Sequence, residues 1–228
     1  MSLNVNAVIA RALQMHGQIA QGNSPDAGLA GDMLVALNTM KRAMFGTLIG
    51  PRLSPLAAPA GTSGQAENGG EYQIPGGANY TLTAPLNPRS GARFGVVDAG
   101  QDWTSFPLTV NPNGRLINGA AANITIGVSG QNTRWWFRGD TGAWIAEADF
   151  ASLTSTIEFP DVLIAYLPSM LAVAIAPDFD LDVAPEVAFA AGEGRQAFAR
   201  AYGRRGAAGL DQVIGLSQAL PQPMTPGR

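Results

Sequence analysis

Arg134-Trp135-Trp136-Phe137-Arg138-Gly139-Asp140-Thr141-Gly142-Ala143-Trp144-Ile145 reads as a hairpin, two aromatic-rich strands joined by four turn-forming residues. Adjacent Trp135 and Trp136 point to opposite faces of such a strand, which predicts one core indole and one exposed or at an interface. Working outward, Arg93–Asp98 and Asn123–Val128 also read as strands. Between them, Leu108-Thr109-Val110 and Arg115-Leu116-Ile117 flank Asn111-Pro112-Asn113-Gly114. That turn predicts a further hairpin, with Asn113 and Gly114 taking the left-handed positions. Short strands and frequent turns across residues 51–150 predict a small antiparallel β-sandwich or barrel. The 28 glycines and 16 prolines of the chain fit those turns.

On either side the period changes to that of a helix. Val5, Val8, Ile9, Ala12, Leu13 and Ile19 recur at helical spacing, with Gly17 and Gly22 closing the helix. Ser24-Pro25-Asp26 predicts a second helix start, with Ser24 as the cap and Pro25 in the first helical position. Leu29, Met33, Leu37, Met40, Met44 and Leu48 then form one apolar stripe. After the strands, Phe159-Pro160-Asp161 opens an apolar helix through Leu163, Leu167, Leu171 and Ile175, with a kink expected at Pro168. Asp178-Phe179-Asp180 marks a turn, and Pro185-Glu186 starts a last helix running to about Tyr202. Two helices bury too little alone. The fold class expected is therefore α+β, a four-helix domain from residues 1–50 and 151–209 interrupted by the β insertion, with an extended tail at 210–228.

Composition narrows the chemistry. The 228 residues carry a formal charge of −3, no cysteine and one histidine, His16. Thiol nucleophiles, iron–sulfur clusters and His-rich metal sites are excluded, as are most Ser-His-Asp arrangements. A free-standing nucleic-acid binder carries a basic excess that this chain lacks. All the basic residues except Lys41 are arginine, which suits fixed ion pairs at interfaces. The longest apolar stretch, Val162–Ile175, falls short of the ~20 residues that span a membrane, and no secretion signal is expected.

Most candidate motifs fail on inspection. Asp178, Asp180 and Asp182 alternate like a calcium loop, but Val183 and Phe189 occupy its glycine and glutamate positions. Arg138-Gly139-Asp140 is read as turn chemistry rather than as an adhesion tripeptide. His16 is expected to cap a helix or hydrogen-bond within the core. Glu67, Glu71, Asp98, Asp102 and Asp140 could pair across the β region at the ~5–9.5 Å that glycoside cleavage needs. Trp103, Trp135, Trp136 and Trp144 are the candidate contact surface of the β region. Arg195, Arg200, Arg204 and Arg205 form a basic helix end. The tail that follows has Pro221, Pro223 and Pro226 around Leu220 and Met224, and such a segment can order on a partner. No catalytic residue, metal or cofactor is expected, and the protein is read as non-enzymatic.

Leu171-Ala172-Val173-Ala174-Ile175-Ala176-Pro177-Asp178-Phe179, followed by a turn and an Ala/Arg-rich helix, resembles the head-to-tail adaptor (packaged-DNA stabilisation) family of short-tailed bacteriophages. Leu34-Val35-Ala36-Leu37-Asn38-Thr39-Met40 resembles that family too, and together these parts cover about half the chain. The insertion, with Pro107–Ile117 and its Trp hairpin, looks like β domains of some phage virion proteins and is absent from the compact members of the family. The resemblance implies a structural virion protein, made in the host cytoplasm, with twelve copies ringed beneath the portal protein. DNA would pass through the ring without sequence-specific binding, and a nozzle or fibre would attach below. Arg195, Arg200, Arg204 and Arg205, with Leu210, Val213, Ile214, Leu216, Leu220 and Met224, would be the portal-binding residues. The competing expectation is a tail- or fibre-associated carbohydrate-binding or glycan-cleaving protein working through the β region. A weaker third is a bacterial binding domain.

Overall fold

The computed structural model describes residues 4–202. Asn4 caps α1 (Val5–Met15) by accepting the Ala7 N–H at 2.9 Å, and Val5, Val8, Ile9, Ala12 and Leu13 are fully buried along one face. The cap of α2 (Ala27–Thr47) is Asp26, not the expected Ser24. Its Oδ1 accepts from both Gly28 N and Leu29 N at 3.0 Å, satisfying two orphan donors at once and leaving Pro25 outside the helix.

Helices from both ends of the chain share one core. After the strands come a single turn, α3 (Asp161–Ile164), then α4 (Leu167–Ile175), a 3-10 turn at Ala176–Phe179 and α5 (Pro185–Tyr202). The expected kink at Pro168 is a break instead. The chain interrupts at Ala165–Tyr166, and Pro168 sits in the first turn of α4, where a missing N–H costs no hydrogen bond. Taken as one stretch, Asp161–Phe179 has a mean hydropathy of 1.8 and the length to cross a membrane. Here it is divided, and α4 packs among α1, α2 and α5. Gly194 lets α5 approach closely, since a Cβ there would lie 2.6 Å from Tyr166 Cβ and 3.0 Å from Met170 Sδ.

The region between α2 and α3 is not the expected antiparallel sandwich. It holds two mixed, largely parallel sheets. The strands are β1 (Ser54–Ala57), β2 (Ser63–Gln65), β3 (Gly70–Ile74), β4 (Tyr80–Thr83), β5 (Arg93–Asp98), β6 (Leu108–Asn111), β7 (Leu116–Ile117), β8 (Ile124–Ile126), β9 (Asn132–Arg138) and β10 (Ala143–Ala146). One sheet has the order β1-β3-β5-β9-β10-β7, the other β2-β4-β6-β8. From β1 to β6 the chain alternates between sheets, so each strand returns parallel to the one two before it. The β9–β10 hairpin forms as read, with Trp136 opposite Ile145. The other expected hairpin does not. Asn113 and Gly114 do take positive φ (56° and 73°), but β6 and β7 join different sheets. The reason is local: Asn113 Nδ2 donates to the Ala84 carbonyl at 3.0 Å, tying the turn to the end of β4 and making it a corner.

The six-stranded sheet is buried on both faces. Phe94, Trp135, Phe137 and Trp144 face the four-stranded sheet, with Phe94 stacked on Trp135 at 5.0 Å and edge-on to Trp144 at 4.9 Å. Trp136 and Ile145 face the helices instead. Trp136 lies 5.3 Å from the Phe159 ring and 5.8 Å from that of Phe45. On that face too, Arg93 is buried with Glu147, each side chain 6% exposed. Its Nε and Nη2 donate to the two carboxylate oxygens at 2.5 and 2.7 Å, and Nη1 donates to the Phe45 carbonyl at 2.6 Å.

Arg93→Ala strands a buried carboxylate and is expected to cost about 3–5 kcal/mol in urea unfolding. A double Arg93→Met, Glu147→Leu replacement should recover most of that loss, because neither charge is then left without its partner.

Candidate interaction surface at the end of the last helix

The end of α5 is locked into the junction between helices and strands. Tyr202 puts its ring edge-on to Trp136 at 5.0 Å, and its carbonyl accepts the Gly50 N–H at 2.8 Å. Gly91 (φ 81°) presses on the same residue; a Cβ there would lie 2.9 Å from Tyr202 Cα. Two turns of different origin, one after α2 and one before β5, thus hold the point from which residues 203–228 continue. The Tyr202 hydroxyl is pushed well above its ordinary pKa by burial, with Asp140 adding to the shift and Arg138 opposing it.

A row of charged groups crosses this junction. Residues 147–150, returning from β10, lie extended along α2 and each meets a partner. Glu147 meets Arg93, and the Ala148 carbonyl accepts from Lys41 Nζ at 2.6 Å. Asp149 pairs with Arg42, and the Phe150 backbone exchanges two hydrogen bonds with the Asn38 amide, at 2.8 and 3.1 Å. Lys41 also sits 4.0 Å from the centre of the Phe150 ring and 3.8 Å from Glu158 Oε2. Burial pushes the Lys41 pKa down and that of Glu158 up; each is the other's leading electrostatic offset. The hydrogen bond to Arg138 holds Asp140 below the usual carboxylate range. Arg138 also donates to the Glu158 carbonyl at 2.7 Å.

The sequence-derived candidates fall into three groups. Arg195 is half-buried and Arg200 exposed on α5, the latter donating, among the described residues, to its own helix at the Gln196 carbonyl. Arg204, Arg205, Leu210, Val213, Ile214, Leu216, Leu220 and Met224 lie outside the described residues. The four tryptophans are not a contact surface. Trp103, Trp135, Trp136 and Trp144 are all at most 1% exposed. Trp135 and Trp136 do point to opposite faces, but the sheet between them is covered on both sides.

The carboxylates of the strand region are largely engaged. Glu71 accepts from Arg134 at 2.7 Å, Asp98 from Gly130 N at 2.9 Å and Asp102 from Gly77 N at 2.7 Å. Arg138 and Asp140 pair across their turn at 2.6 Å. Among the described residues no three His, Asp or Glu side chains converge as metal ligands. His16 caps α1 and places Nε2 2.8 Å from the Ala172 carbonyl of α4.

Sequence reasoning missed Tyr202, Gly50 and Gly91, and with them Arg52 and Arg89. No spacing rule links residues from three separate segments. The chain matches no protein-family model and no curated protein.

Replacing Lys41 by Met is expected to cost about 1–3 kcal/mol at pH 7, because the Ala148 carbonyl loses its donor and Glu158 its cation. Glu158 has a raised folded-state pKa, so its contribution is present below its ordinary value and lost as pH rises through the raised one. The deficit of the variant should therefore narrow between pH 7 and pH 5, as read from thermal midpoints of both proteins.

Proposed function

We propose that this chain is a head-to-tail adaptor of a short-tailed bacteriophage. Twelve copies form a ring beneath the portal protein, extend the DNA channel and attach the next tail component. The observation carrying the reading is that both stretches resembling the family lie in one helical core. Leu34–Met40 belongs to α2, and Leu171–Phe179 forms most of α4 and the whole 3-10 turn. Leu37 and Leu171 are buried in the same cluster. The strand region leaves this core after Gly50 and returns at Glu147, and the Arg93–Glu147 pair holds departure and return together.

The role is structural in this reading. The arginines at the end of α5 and the segment beyond it contact the portal protein, while the sheets, packed on the helices through Trp136, are the added part. The glycan-directed alternative relied on exposed indoles and free carboxylate pairs. The indoles are buried, and four of the five carboxylates have arginine or backbone N–H partners, which leaves Glu67 alone of the five without one among the described residues.

Native mass spectrometry of the full chain, alone and with the portal protein of the same genome, tests the proposal. A discrete complex of twelve with twelve is expected; two proteins that stay apart while both remain folded would overturn it. The full chain is required, because deleting residues 51–150 removes Trp136 and Arg93 from the face that covers the helices.

A further inference from the structure

Arg52 and Arg89 lie beside the end of α5, one from each turn that holds Tyr202. Each is two residues along the chain from a glycine in contact with Tyr202, Gly50 in one case and Gly91 in the other, which is at most ~7.6 Å of backbone. Both side chains are exposed, and neither forms an ion pair among the described residues. Arg200, two residues before Tyr202 on α5, is also exposed and has no carboxylate partner among the described residues. The sequence adds Arg204 and Arg205 immediately after. Arginines from three described segments thus lie within two residues of Tyr202 or of a glycine that touches it, in a chain whose net charge is −3.

We infer that this basic surface spans both halves of the fold, through Arg52 and Arg89 as well as α5, and receives a carboxylate-bearing face of a protein partner. Guanidinium groups suit bidentate carboxylate pairing, and arginine beside apolar surface is the composition of a protein interface. That apolar surface is present. Arg89 borders an open cleft of about 460 Å³, and Leu86, 70% exposed, lines the same cleft. Its other walls include Glu67, Asn68 and Asn87. So few free cations disfavour a phosphate backbone, which is held by the summed charge of many contacts. Identifying the partner as a portal protein rests on the adaptor reading; the surface itself does not.

The test compares the full chain with Arg52→Glu and Arg89→Glu, using Arg11→Glu on exposed α1 surface as the control for charge reversal. Thermal melts establish that each variant is folded. Binding to the portal protein should weaken about tenfold or more in the first two variants and stay near wild type in the third. Portal binding that all three variants leave unchanged overturns the inference while the adaptor reading stands. If wild type does not bind the portal protein, the adaptor reading fails, and poly-L-glutamate and a short duplex DNA become the probes. Retention of polyglutamate that Arg52→Glu and Arg89→Glu abolish sustains the surface. Preference for DNA, or binding to neither probe, overturns it.

Discussion

The structure turns on one buried ion pair. Arg93 and Glu147 are both withdrawn from water, an arrangement that is tolerable only when the donors and acceptors are matched. Here they are: two guanidinium nitrogens meet two carboxylate oxygens, and a third serves the Phe45 and Pro51 carbonyls. Those partners come from the end of α2, the start of the strand region, its central strand and its exit. One arginine therefore fixes where the chain leaves the helices and where it comes back. The Arg93 ring contact with Phe45, 5.4 Å from guanidinium to ring centre, continues the same packing into the helical core.

From that anchor the layers follow. The six-stranded sheet lies between four strands and the helices, so both its faces must be apolar or internally paired. Trp135 and Trp136 bring their large apolar rings to opposite sides, and Arg93 is the charged exception that needs Glu147. The open edge is managed as well. Ser54 N and Ala58 N donate inward to β3, so the intervening Pro55 places its missing N–H on the outer side of β1. An edge lacking that donor is a poorer template for another strand.

The same junction gives the functional reading its shape. Charges that stabilise the fold are already paired there: Arg42 with Asp149, Lys41 with Glu158 and Arg138 with Asp140. Arg52, Arg89 and Arg200 are exposed at this junction and form no ion pair among the described residues. A helix end clamped by two glycine turns presents those charges on a rigid base, and little ordering cost is left for a partner to supply. An adaptor reading uses this rigidity directly.

Much of this was legible in the residues. Helical spacing placed α1, α2 and α5 within a few positions, Pro185 marked the start of α5, and the turn at Gly139–Gly142 gave the β9–β10 hairpin. Three things were not legible. The apolar stripe of α2 packs on the core as read, with Leu29 and Met40 half-buried, yet the polar Asn38 and Lys41 are buried too, because the segment 147–150 lies on them. The Asn113-Gly114 turn has its expected backbone but joins two sheets. Of the two expectations for the second tryptophan of β9, exposed or at an interface, Trp136 takes the interface, because helices cover that face. By itself the sequence determined where local structure begins, ends and turns, since caps, periodicity and left-handed residues act over a few positions. Only the tertiary structure decided which sheet each strand joined, which polar side chains were buried and which arginines stayed free. Those outcomes depend on what packs against each face, and that partner arrives from a hundred residues away.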